Sequence, residues 1–193
     1  MKVPFVEVRR GVVSCLELVV DWPERIFPKS FELDLPGWRA WGYLVDYDQT
    51  GFGVMASKLY KGDFNSLVTS NNDYLIVLQD KISGIVKIVV GLSAKFPLYF
   101  AVEKNKMFLS TDFGRVFRSL KNANMDAEGV LDYFLTESAI YLTDKTFISQ
   151  IRQLPPGCIL TVNNDLTWKT DASFSWQKYL QGSDVSPMKP DDF

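Results

Sequence analysis

The chain has 193 residues and not one histidine. No Ser-His-Asp or Cys-His arrangement is possible, so any general base has to be Asp, Glu, Lys, Tyr or an α-amino group. Zinc sites with imidazole ligands are excluded, and two cysteines, Cys15 and Cys158, cannot build a four-thiolate site. So few cysteines give no disulfide framework and suit a reducing compartment, which makes the cytoplasm the expected location. Both lie in apolar, strand-like runs and read as inert buried thiols. No stretch supplies the ~20 apolar residues of a membrane span. The N-terminal segment, broken by Glu7, Arg9 and Arg10, does not read as a signal peptide. Net charge is −2 with Lys and Arg scattered, so neither nucleic acid nor a membrane is an expected partner.

What the chain does have is strand patterning. Val12 to Val20 alternates, with Leu16, Leu18 and Val20 on one face. Trp38 to Tyr47 alternates again, with Trp41, Tyr43, Val45 and Tyr47 in register, and both read as half-buried strands. Pro23, Pro28, Pro36 and Gly37 mark turns between them. Asp46-Tyr-Asp-Gln-Thr-Gly51-Phe-Gly53 reads as a hairpin tip. Asp46 and Asp48 could pair as acid and base there, but two carboxylates beside a glycine turn read first as a solvated tip. Lys58-Leu-Tyr-Lys61 reads as a solvated edge. Tyr74 to Leu78 and Gly84 to Val90 are near-continuous apolar runs, expected at the centre of a sheet covered on both faces. Pro97 fits the first residue of a strand, where a missing N–H is tolerated. A hairpin at Glu103-Lys-Asn-Lys106 leads to a strand over Met107 to Ser110.

Two helices follow. Phe113, Val116, Phe117 and Leu120 are spaced i, i+3, i+4, i+7, with Thr111 or Asp112 as N-cap. Asp126 caps the second, whose expected apolar stripe is Val130, Leu131, Phe134 and Leu135. Leu154-Pro155-Pro156-Gly157 is a rigid turn opening a strand from Cys158 to Val162. Asn163-Asn164-Asp165 turns the chain into a returning strand at Thr167-Trp168-Lys169. From Gln181 the composition is that of a linker or tail. Strands dominate, which fits an α+β domain with antiparallel sheets.

The order of these pieces resembles the N-terminal glutaminase domain of the asparagine synthetase family, from about Asn72 to Trp176. The resemblance rests on Gly91-Leu-Ser-Ala94-Lys-Phe-Pro97-Leu98-Tyr99-Phe100, on Phe108-Leu-Ser-Thr-Asp112, and on the helix beginning at Asp126. It rests also on Thr146-Phe147, on Ile151-Arg-Gln-Leu154-Pro155-Pro156-Gly157, and on Trp176. It implies a four-layer αββα sandwich of the N-terminal-nucleophile hydrolase type, and a class II glutamine amidotransferase ancestry in amino-acid biosynthesis. In that family an N-terminal cysteine attacks glutamine, with its own α-amine as base. An Arg-Gly-Pro-Asp string grips the substrate, and an Asn-Gly-Glu-Ile-Tyr-Asn string helps form the oxyanion hole.

This chain begins Met1-Lys2-Val3 and carries neither string. Trp38-Arg39-Ala40 and Asn71-Asn72 are the nearest relics, and the acidic residue and inner glycine of the Pro-Leu-Tyr segment are here Gly91 and Ala94. The expectation is therefore a degenerate domain over residues 1–180 with no catalytic residue of its own. Residues 181–193 would be a tail or linker toward a synthetase domain. That domain, in cis or in trans, would be the partner, and would hold the ATP and magnesium for which this chain has no motif. A homodimer is a further possibility, and Trp176, Tyr179 and Leu180 are the expected contact surface. Two alternatives stay open. Cys15 could be a nucleophile after removal of residues 1–14, although Leu16 replaces the small residue that usually follows one. Or the vestigial pocket could serve as a small-ligand or peptide binding module.

Overall fold

The structure is a computed structural model that describes residues 5–10, 16–21, 30–44, 48–64, 73–91, 97–135 and 144–172. For 5–10 and 16–21 it defines the backbone pairing alone. Among the described residues, the strands are β1 (Phe5–Arg10), β2 (Leu16–Asp21), β3 (Phe31–Asp34), β4 (Trp38–Leu44), β5 (Tyr74–Asp80), β6 (Val86–Val90), β7 (Leu98–Glu103), β8 (Lys106–Ser110), β9 (Ile151–Leu154), β10 (Cys158–Val162) and β11 (Trp168–Ala172). The helices are α1 (Gln49–Tyr60), α2 (Phe113–Ser119) and α3 (Ala127–Leu135). Among the described residues every strand pairing is antiparallel. One sheet runs β2-β1-β8-β7-β9 and the other β11-β10-β6-β5-β4-β3.

Three apolar clusters define the layers. Leu75, Val77, Ile88 and Val90 of the second sheet meet Leu98, Phe100, Met107, Leu109 and Leu154 of the first, so this core lies between the sheets. On the outer face of the second sheet, Ala40, Leu44, Ile76 and Leu78 pack against Phe52, Met55, Ala56 and Leu59 of α1. On the outer face of the first, Ala101, Phe108 and Ile151 pack against Val116 of α2. Helix, sheet, sheet, helix is the αββα order, in an α+β fold rich in strands. Among the described residues no helix is long and apolar enough to cross a membrane.

The central strands are where the continuous apolar runs put them. β5 and β6 lie side by side, and β5 is buried from Tyr74 to Gln79 because both its faces are covered. Pro97 stands directly before β7; Leu98 and Phe100 face the inter-sheet core, while Tyr99 faces the outer cluster. Asp112 and Asp126 cap α2 and α3, accepting from Gly114 N–H at 2.8 Å and from Glu128 and Gly129 N–H at 3.0 and 3.1 Å.

Other readings are corrected. Gln49–Tyr60 is a helix, not a hairpin tip: Asp48 is its N-cap, accepting from Gly51 N–H at 2.8 Å, and Phe52, Met55, Ala56 and Leu59 hold it on the sheet. Lys58-Leu-Tyr-Lys61 is therefore its last turn, with Leu59 fully buried. β4 is buried on both faces rather than one, since Tyr43 enters the inter-sheet core while Trp38, Ala40 and Leu44 lie under α1. Cys158 is half-buried at the margin of the core. The stripe expected to bury α3 points outward: Leu131, Phe134 and Leu135 are exposed, and Gly129 is the buried residue of that helix. The 181–193 tail, Val45, Tyr47, Trp176, Tyr179 and Leu180 lie outside the described residues.

Gly157 occupies the turn between β9 and β10 at φ +72°. Its N–H donates to Val90 and Gly91 carbonyls at 3.2 and 3.3 Å. A β-branched side chain is strained at such a φ. Gly157→Val is expected to lower stability by about 2 kcal/mol, read as a fall in Tm. A Tm equal to the parent's would contradict this geometry.

Candidate functional site

The registers bring one end of each sheet together. In the first sheet Phe5 pairs with Asp21 and Ser110, and Leu98 with Leu154. In the second, Leu44 pairs with Tyr74, Leu75 with Val90, and Gly91 N–H donates to the Tyr74 carbonyl at 2.9 Å. Pro155-Pro156-Gly157 carries the chain across from β9 to β10 at this end.

The polar group built at this end is a buried pair. Tyr43, 2% exposed, donates its hydroxyl to Asp73 Oδ1 at 3.1 Å, and Asp73 is 8% exposed. The alternation of β4 points Tyr43 into the inter-sheet core, and Asp73 stands at the foot of β5. Burial, then the Asp73 charge and hydrogen bond, hold the Tyr43 hydroxyl far above the usual phenol range. Neighbouring Tyr74 is pushed up to about 12 by burial. Neither phenol supplies a base or a nucleophile near neutral pH; Tyr43 acts as a donor, and Asp73 as its acceptor. Cys158 opens β10 at the same end, and burial pushes its thiol up, which lowers its thiolate fraction and reactivity.

The residues singled out in the sequence do not converge here. Arg39 pairs in register with Gln79, toward the opposite end of β4 from Leu44. Its Nε meets Asp34 Oδ2 at 3.1 Å, and Lys81 pairs with the same carboxylate. The Lys81 hydrogen bond, above all, holds Asp34 below the usual carboxylate range; desolvation opposes it, and Arg39 adds to the lowering. Leu16 pairs with Arg10, at the end of the β1–β2 hairpin remote from Phe5. Cys15 itself, Asp46, Asn71, Asn72 and Ala94 lie outside the described residues. Asp48 is a helix cap, which removes the Asp46–Asp48 acid-base reading of that turn.

A second concavity lies at the far end of the second sheet. Tyr60, Leu78, Asp80, Ser83, Ile85 and Lys87 line a pocket of ≈ 110 Å³. Asp80 Oδ1 accepts from Ile82 and Ser83 N–H at 2.8 and 2.9 Å. The Ser83 N–H is the chief reason that the carboxyl stays below its usual range. That use of the carboxylate is turn closure. Among the described residues no group of three or more His, Cys, Asp or Glu could hold a metal.

The Tyr43–Asp73 pair was missed in the sequence. Tyr43 showed as part of an alternating face and Asp73 as the residue before an apolar run, but nothing local links positions thirty apart.

No protein-family profile and no curated protein matches the sequence. Solved structures do match. One is glutamine phosphoribosylpyrophosphate amidotransferase from B. subtilis, complexed with ADP and GMP, at 9% identity and a TM-score of 0.48. It covers 89% of this chain and 43% of that one. Another is described as the allosteric regulatory enzyme of purine biosynthesis, at 10% identity and a TM-score of 0.49, over 90% of this chain and 43% of that one. The chain spans less than half the length of either.

Proposed function

We propose that this chain is a glutaminase-like domain of the N-terminal-nucleophile hydrolase type that has lost its chemistry. We place it in an asparagine-synthetase-like, amide-forming protein. Residues 1–180 form the domain and 181–193 lead toward a synthetase unit, which alone binds ATP and magnesium. The role of the domain is structural, docking that unit in the cytoplasm. The αββα order and the ordered Pro-Leu-Tyr and Pro-Pro-Gly segments support the family reading. The observation that carries the loss of activity is the place of Arg39. The nearest relic of a substrate-gripping arginine is tied to Asp34 away from the Phe5 end of β1.

The alternative of a processed Cys15 nucleophile meets a topological obstacle. Cutting before Cys15 removes β1, which lies between β2 and β8. Among the described strands β2 would lose its one neighbour, and the Phe5-to-Arg9 ladder to β8 would go with it.

The purified chain is therefore expected to release no ammonia from glutamine above the uncatalysed rate. Losing one oxyanion donor alone typically costs ~10²–10³ in rate; here the substrate-gripping and oxyanion strings are missing together. Glutamine turnover that Cys15→Ala abolishes would overturn the proposal and establish the processed enzyme instead.

A further inference from the structure

The pocket beside the last turn of α1 has walls that are each held from behind. The Tyr60 ring stacks on Trp38 with centroids 5.0 Å apart. Leu78, 3% exposed, belongs to the cluster beneath α1 and supplies apolar lining. The Ser83–Gly84 turn is pinned from the turn between β10 and β11. Asn164 donates its side-chain amide to the Ser83 carbonyl, and a Cβ on Gly84 would lie 2.1 Å from the Asn164 Oδ1. Between these walls the cavity of ≈ 110 Å³ has room for about three to four waters, or one molecule of a few heavy atoms. A preformed cavity with an apolar lining and a few converging polar groups is the usual form of a small-molecule site.

Two opposite charges line it without pairing. Lys87 pairs with Leu78 in register, and Asp80 stands two residues further along β5. They are therefore diagonal neighbours on one face of the sheet, their backbones ~7–8 Å apart. Among the described residues neither side chain is in an ion pair. The half-buried Lys87 holds its ammonium over the Phe64 ring, 5.5 Å from the centroid. Asp80 uses Oδ1 to close its turn, while Oδ2 accepts from the Tyr60 hydroxyl at 3.5 Å, a length that leaves it open to a better donor. A simple anion drawn to Lys87 would be repelled by Asp80, and a simple cation drawn to Asp80 by Lys87. A small molecule with both charges side by side is attracted by each and leaves the site neutral.

We infer that this pocket binds a small zwitterionic amino acid, its carboxylate on Lys87, its ammonium on Asp80 Oδ2 and its carbon atoms against Leu78. The inference does not depend on the glutaminase reading. The pocket lies on the outer face of the second sheet, at the end of β4 and β5 remote from Tyr43 and Asp73.

Titration of the isotope-labelled full chain with glycine and with L-alanine, followed by amide NMR, tests it. The expected result is a saturable shift centred on the Ser83, Ile85 and Lys87 amides. Acetate and methylammonium, which carry one charge each, are expected to bind at least about tenfold more weakly, the loss of one charged hydrogen bond. Lys87→Met keeps the stem and removes the charge. Asp80→Asn removes the other charge and keeps an oxygen for the Ile82 and Ser83 N–H groups. Each variant is expected to weaken L-alanine by at least about tenfold, with circular dichroism matching the parent. If Asp80→Asn fails to fold, Lys87→Met and the single-charge ligands decide alone. No saturable shift with either amino acid overturns the inference. Acetate binding as tightly as L-alanine overturns it too, in favour of a plain anion site. Unchanged affinity in Lys87→Met overturns it as well, since the carboxylate would then lie elsewhere.

Discussion

Replacing Gly42 by alanine is expected to destabilise the fold by about 3 kcal/mol or more, a fall of ~1 M or more in the urea midpoint. Gly42 sits in β4 opposite Ile76 of β5 and Phe31 of β3, so it is paired on both sides. A Cβ there would lie 2.2 Å from the Leu75 carbonyl oxygen and 3.0 Å from the Ile76 Cα. Both are backbone atoms of a central strand, which cannot give way without breaking the ladder. Gly53→Ala is the matched control. A Cβ at that position in α1 comes no nearer than 4.0 Å to Leu33 Cδ2. Alanine favours a helix interior by ~0.5–1 kcal/mol over glycine, so the control should hold or raise the midpoint. Equal midpoints for the two variants would contradict the packing of β4 on β5.

The second large effect is alkaline. Tyr74 has its folded pKa raised to about 12, and Tyr43 is raised further by burial and by Asp73. An unfolded chain releases both phenolic protons near pH ~10. Above that pH the unfolded state binds fewer protons than the folded one, so stability falls as pH rises. The stabilisation is fully present below pH ~10. The Tyr74 share, up to about 2–3 kcal/mol, is lost as pH climbs through about 12. Urea titrations at stepped pH should show this loss, and Tyr74→Phe, which conserves volume, should reduce it. A variant that follows the parent curve across this window would assign the alkaline loss to other groups.

How much of this was legible depended on whether the signal was local. The apolar runs of β5 and β6 are continuous because those strands are covered on both faces, and a continuous run is visible in sequence. Pro97, Asp112 and Asp126 were readable for the same reason, each acting on its immediate neighbours. α1 was hidden by Gly51 and Gly53, strong turn residues in its first turns. The i, i+3, i+4, i+7 spacing of Phe52, Met55, Ala56 and Leu59 was present, but tertiary packing decided for it. β4 looked half-buried because Trp41, Tyr43, Val45 and Tyr47 recur at every second position; only the second layer beneath it fixes both faces. The candidate site was the least legible part. Tyr43 and Asp73 meet because β4 and β5 end together, and that is a property of register between strands.

The same topology has a mechanical consequence. Among the described residues, successive strands lie in different sheets at three places, Asp21 and Phe31, Gly91 and Leu98, and Leu154 and Cys158, and each of these residues stands at the Phe5 end of its sheet. At the other end, among the described residues, the chain joins strands of the same sheet, as in the turns from Asp80 to Val86, Glu103 to Lys106 and Val162 to Trp168. The sandwich is therefore stitched along one rim, like a clamshell with its hinge beside Tyr43 and Asp73. When it breathes, the halves should part from the hairpin rim inward, so amide protons of Gln79 and Val86 should exchange with deuterium ahead of those of Leu75 and Val90.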